Sequence, residues 1–167
     1  MSKKYFIKNP FNDIPNYSCF GCASDNEHGL QMSFYEEGEY MISVWEPKSY
    51  FCGYNDVLHG GIQATLCDEL ASWTVYVKCN RSGVTSRLTM KYKKPVLIEK
   101  GNITLKSKIT EIKRDRFVTI EIKLYDGTGE LCAEGETIFW MFTKDESVDS
   151  YGFPENGMER VEVIDDL

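Results

Sequence analysis

The sequence predicts an α+β fold in which one long helix is buried against one antiparallel sheet. Three observations carry that prediction. Residues 60–78 place Ile62, Leu66, Leu70, Trp73 and Val77 at helical spacing, and the other side (Ala64, Cys67, Ala71, Thr74, Val75) is small and nearly uncharged. A helix apolar almost all round is buried on most sides. After Gly83 the apolar period changes to two, and the segments that follow are joined by turns too short for parallel crossovers.

Each element can be justified in order. Residues 1–29 are rich in Asn, Pro, Gly and Cys and read mostly as an irregular N-terminal segment. Residues 30–35 and 40–46 read as strands around the turn Glu36-Glu37-Gly38-Glu39, and Pro47 to Leu58 reads as a loop. The helix comes next, then strands at 84–94, 102–112, 117–125 and 130–142. Lys113-Arg114-Asp115 and Tyr125-Asp126-Gly127-Thr128-Gly129 supply hairpin turns. The expected order is β-β-α-β-β-β-β within a domain spanning 1–142. Residues 143–167 lack large apolar residues at a regular period and read as an acidic tail, solvated or weakly docked.

The 167 residues carry a net charge of −7, which argues against a nucleic-acid partner. The charge is unevenly spread. Residues 78–123 hold 13 basic and 4 acidic side chains, whereas residues 143–167 hold 2 basic and 8 acidic. Without the tail the body is close to neutral, with one basic block. No stretch approaches the roughly 20 apolar residues of a membrane span, and the N-terminus lacks the apolar run of an export signal. A cytoplasmic protein with reduced thiols and no membrane partner is the expectation.

The densest chemical signal is His59-Gly60-Gly61-Ile62-Gln63-Ala64-Thr65-Leu66-Cys67-Asp68-Glu69. Two glycines open the helix, where unpaired N–H groups and the helix dipole favour a developing negative charge. The Gly61 N–H is a candidate donor to a carbonyl oxygen; a plain glycine-rich helix start is the other reading. Asp68 and Glu69 are carboxylates on a buried helix, which need a purpose or a partner. On the helical wheel Glu69 falls about 20° from Ile62, inside the apolar stripe, while Asp68 lies opposite among small residues. Asp68 is therefore the candidate general base or nucleophile, with an ion pair inside an interface as its alternative. Glu69 is expected to be satisfied by hydrogen bonds. Gly61 and Asp68 are roughly 10 Å apart along the helix, too far to touch one reacting group. Two antiparallel helices in a two-fold dimer would bring Asp68 of one chain to Gly61 of the other.

The ordered set His59-Gly60-Gly61…Asp68, Cys19-Phe20-Gly21-Cys22 with Asn26 and Gly29-Leu30, Gly53-Tyr54 before Val57-Leu58, and Val84-Thr85, Leu88, Tyr92 and Pro95-Val96 resembles the hotdog-fold acyl-CoA thioesterases. Within the 4-hydroxybenzoyl-CoA thioesterase superfamily it is most similar to the phenylacetic-acid-degradation group, over residues 17–142. The resemblance implies a long helix wrapped by an antiparallel sheet, homodimers or homotetramers (dimers of dimers), and hydrolysis of acyl-CoA to free acid and CoA without a cofactor. It implies that Asp68 activates water or attacks the thioester, that Gly61 polarises its carbonyl, and that His59 supports loop and substrate. Gly60, Glu69 and Thr85 are supporting positions, with the Thr85 hydroxyl orienting acid or water. Trp73 departs from the pattern, where a small residue is common, and is expected to narrow the acyl pocket.

CoA is polyanionic and needs cationic partners, for which Lys93, Lys94 and Arg114 in the basic block are candidates. Cys19 and Cys22 lack a second ligand pair at zinc spacing, and His28 would make only three donors, so no metal site is expected. Cys67, Cys79 and Cys132 read as buried small apolar residues. A non-catalytic module that binds acyl-CoA as an effector is the main rival function. A hotdog dehydratase, which needs its histidine placed differently relative to its acid, is weaker.

Overall fold

The computed structural model describes residues 2–164. Met1 and residues 165–167 of the expected tail lie outside the described residues. The expected elements form: β2 (Phe34–Glu37), β3 (Tyr40–Trp45), α1 (Gly60–Thr74), β4 (Gly83–Tyr92), β5 (Ile103–Lys113), β6 (Phe117–Tyr125) and β7 (Leu131–Met141). Two short strands join them, β1 (Lys4–Ile7) and β8 (Arg160–Glu162), together with a second helix, α2 (Lys144–Tyr151).

The described strands make one antiparallel sheet in the order β4-β7-β6-β5-β3-β2-β1-β8. Period-two patterning sends Val118, Ile120, Ile122 and Leu124 of β6 inward, where each is fully buried. They meet Leu66, Leu70, Ala71 and Trp73 of α1, which lies against β3 to β7. The Lys113–Asp115 tip forms as expected, with Arg114 and Asp115 both at φ 52°, the twist a tight hairpin requires.

The helix runs past Thr74 as one wider π-helical turn, Val75–Cys79, and stops at Asn80 in the left-handed conformation (φ 55°). Thr74 Oγ1 bonds back to the Leu70 carbonyl (2.8 Å) and to Ser107 Oγ (2.7 Å), so the inner face of the turn is satisfied on β5. Lys78 then pairs with Glu36 at 2.6 Å and ties the helix end to β2. Trp73 is fully buried, stacked on Phe34 with centroids 4.4 Å apart. It fills the core of this chain and does not line the cleft at the start of α1, although its departure from the family pattern suggests a narrowed acyl pocket.

The C-terminal segment is docked as far as Val163, whose N–H bonds the Lys4 carbonyl, more firmly than the solvated or weakly docked tail expected from its lack of apolar periodicity. Thr143 and Glu146 form a reciprocal capping box that starts α2. Ser147 Oγ accepts from the Ser82 N–H at 2.9 Å, Phe153 and Met158 are buried, and β8 pairs with β1. The N-terminal segment is likewise less irregular than its composition suggests, since β1 pairs with β2 and Phe11 packs near Trp73 and Tyr76.

Candidate active site

His59 is the N-cap of α1, with φ −58° and ψ 134°. Its Nδ1 accepts the Gly61 N–H at 2.9 Å. The donor that the sequence assigned to a substrate carbonyl is therefore engaged within the chain. Gly60, one residue earlier, has an N–H with no acceptor among the described residues, as the first helical position requires. Its carbonyl accepts the Tyr92 hydroxyl at 2.9 Å, which fastens the helix start to the end of β4. An open cleft of about 640 Å³ is lined here by His59, Gly60, Gln63, Tyr92, Lys93 and Lys94, among others. Gly60, expected only to support, is the glycine that faces it.

Gln63 was not singled out in the sequence, though an amide on a largely apolar helix is a signal. It is buried, its Nε2 donates to the Leu58 carbonyl at 3.1 Å, and its Oε1 has no partner among the described residues. A buried acceptor left unpaired costs about 1–3 kcal/mol, so a ligand N–H or O–H in the cleft would be drawn to it.

Asp68 sits two turns on and does not line the cleft. Its Oδ1 accepts the Thr85 hydroxyl at 2.7 Å. The register of β4 on β7 skips between Thr85 and Arg87, and such bulges re-aim side chains. Partial burial pushes the Asp68 carboxyl above its ordinary value, and the Thr85 hydroxyl opposes that rise. Asp68 and Thr85 are thus brought together as the resemblance implied, while Asp68 and the glycine pair stay apart within one chain.

Glu69 faces elsewhere. Its Oε1 accepts the Trp73 indole N–H at 3.2 Å, and Cys19 Sγ approaches it at 3.7 Å. This is the hydrogen-bonded role expected of it. Burial, then the nearby Cys19 charge, raises its carboxyl to about 7. A hydrogen bond from Cys22 holds the Cys19 thiol down at about 5, while Cys22, left with the proton and buried, goes up. His28 is exposed and lies outside this group. Cys67 and Cys132 are buried, and Cys79 is partly so.

The basic block meets its complement beyond the Tyr92 end of β4. Lys93 pairs with Glu134 at 2.7 Å, Lys94 with Glu130, and Lys100 with Asp126 at 2.8 Å. Lys93 and Lys94 line the cleft, but Arg114 does not join them. It occupies the β5–β6 tip, near the Gly83 end of β4, and the ten residues of that strand place it roughly 30 Å from Lys93. Grouping all three as one CoA site is corrected for a single chain.

No helix among the described residues is long and apolar enough to cross a membrane. No curated protein matched the sequence. The family model described as the thioesterase superfamily matches residues 55–133, which hold the cleft, α1 and strands β4 to β6. A crystal structure of a thioesterase superfamily protein superposes with a TM-score of 0.63 at 19% identity over 73% of this chain. The match spans 62% of that protein, less than two thirds of its length. The PaaI protein from the phenylacetic acid degradation operon of E. coli matches with a TM-score of 0.59 at 14% identity, covering 68% of this chain and 81% of its own. A Streptococcus mutans protein solved with bound acetyl-CoA matches with a TM-score of 0.62 at 16% identity, covering 79% and 98%. Residues 55–133 thus match the thioesterase superfamily model, and the architecture, one long helix against a large antiparallel sheet, is the hotdog fold shared with these solved structures.

Proposed function

We propose that the protein hydrolyses acyl-CoA thioesters at a site built from two copies of the chain. The observation that carries this reading is the pairing of a donor and an acid on one helix. The Gly60 N–H opens α1 into a cleft, and Asp68, held by Thr85, lies about 12 Å further along the helix. Only a second, antiparallel helix brings one against the other. The surface needed for that pairing is open. β4 is an edge strand whose Thr85, Ser86 and Arg87 are exposed, and the Asp68 side of α1 is only partly covered.

In this reading the thioester carbonyl oxygen sits on the Gly60 N–H of one subunit. Asp68 of the other takes a proton from water as it attacks, or attacks the carbonyl itself; either route ends with free acid and CoA thiol. Gln63 Oε1 accepts a hydrogen bond from the ligand. Lys93 and Lys94 exchange their surface carboxylates, weak pairs in water, for CoA phosphates. The relatives' family and the acetyl-CoA held by the Streptococcus mutans protein support this substrate class.

The test is thiol release from a panel of acyl-CoA esters, aliphatic and aryl, by the wild type and Asp68→Asn. Turnover on at least one ester that is lost in the folded variant supports the proposal. Equal turnover by both overturns it. Tight CoA-ester binding with no thiol release across the panel would replace the enzyme with an effector-binding module.

A further inference from the structure

Asp68 and Glu69 are adjacent in sequence, but α1 turns their carboxylates to different sides, and thioester hydrolysis uses only the first. Glu69 faces the loop that holds Tyr17, Cys19 and Cys22. Its Oε1 and Oε2 lie 3.7 and 3.9 Å from Cys19 Sγ, and the Cys22 sulfur falls with them in a group spanning at most 4.8 Å. Any side chain at Gly21 would collide with the Glu69 carboxylate, so glycine there lets the loop backbone close on it. The Tyr17 hydroxyl contacts Cys22 Sγ at 3.0 Å. None of the ion pairs among the described residues includes Glu69. A half-buried carboxylate beside two sulfurs, with no cation paired to it among the described residues, is a convergent donor set that a divalent cation would complete.

We propose that Cys19, Cys22 and Glu69 form a binding site for one zinc ion, which fastens the N-terminal loop to α1. Two sulfurs and a carboxylate oxygen are donors zinc accepts, and they disfavour magnesium and calcium. With Zn–S near 2.3 Å and Zn–O near 2.0 Å, a tetrahedral ion sets sulfur and oxygen about 3.5 Å apart. The Cys19–Glu69 separations already approach that edge. Three protein donors leave the fourth position to water. On binding, a sulfur that still carries its proton releases it to solvent as its Zn–S bond forms, and no electrons move. The sequence shows only the Cys-x-x-Cys pair, because the third donor comes from fifty residues away.

The experiment titrates the metal-free full chain with zinc against a chromophoric chelator, and with cobalt(II) as a spectroscopic substitute. One ion per chain is expected, with a thiolate-to-cobalt charge-transfer band and tetrahedral d–d absorption. Cys19→Ser and Cys22→Ser should each abolish the band, Glu69→Gln should weaken zinc at least tenfold, and Cys132→Ser should bind as wild type. Circular dichroism of each variant separates lost binding from lost fold. Absence of one-to-one binding in the wild type overturns the proposal, as does unchanged affinity in Cys22→Ser. Zinc held equally well by Glu69→Gln removes the third donor and overturns the site as stated. A Cys19–Cys22 disulfide formed with oxidised glutathione in a chain that binds no zinc would replace the metal site with a redox pair.

Discussion

Replacing Gly60 with proline deletes one atom of interest, the N–H hydrogen that faces the cleft. The backbone is suited to the change. Gly60 is the first helical residue after the His59 cap, a position where proline is over-represented because the missing N–H has no intrahelical partner. His59 has ψ 134°, within the extended range that a following proline demands. A Cβ at residue 60 would meet the Tyr92 ring at 3.6 Å, an ordinary contact. Stability should therefore stay within about 1 kcal/mol of wild type, or rise, because proline restricts the unfolded chain. Catalysis should not survive so well. Loss of one oxyanion donor lowers turnover about 10²–10³-fold, or roughly 2.7–4 kcal/mol. Gly60→Ala keeps the N–H and serves as the steric control. The assay is thiol release beside thermal unfolding. A folded Gly60→Pro enzyme turning over at the wild-type rate would refute the reasoning and return the donor role to Gly61, which would then have to shed His59.

Two further outcomes are expected. Thr85→Val removes a hydrogen bond to the ionised form of Asp68, which holds its pKa down against burial. Losing it raises the Asp68 pKa, so the acid limb of kcat/KM should move to higher pH, with Thr85→Ser restoring it; an unmoved limb contradicts the role given to Thr85. Phe153→Ala empties a site that is 2% exposed against Tyr76 and should lower unfolding stability by about 3–5 kcal/mol. A loss below about 1 kcal/mol in denaturant titration would mark the segment as peripheral.

The central architecture was legible because it rests on periodicity. The switch from the 3.6 spacing of Ile62, Leu66 and Leu70 to the alternation of Val118, Ile120 and Ile122 fixes helix and sheet whatever surrounds them. The docked C-terminus was not, because Phe153 and Met158 reach the core without a repeat, and β8 is only three residues long. The Thr143-x-x-Glu146 capping box was its one local signal. At the site, helical phase correctly separated Asp68 from Glu69, and Thr85 was found at the acid. Which glycine N–H is free depended on a side-chain bond, His59 Nδ1 to Gly61, that spacing does not reveal. Arg114 looked equivalent to Lys93 in a charge count, yet the long β4 and β5 strands carry the two to opposite ends.

The central claim is that the Gly60 donor of one chain works with the Asp68 acid of another. Co-refolding Gly60→Pro with Asp68→Asn, each inactive alone, tests it most directly. In a mixed two-fold dimer one site carries both defects and the other carries neither. Random pairing of equal amounts should therefore recover about a quarter of wild-type thiol release. A mixture that pairs but stays as inactive as its components would contradict a shared site and place donor and acid on separate tasks.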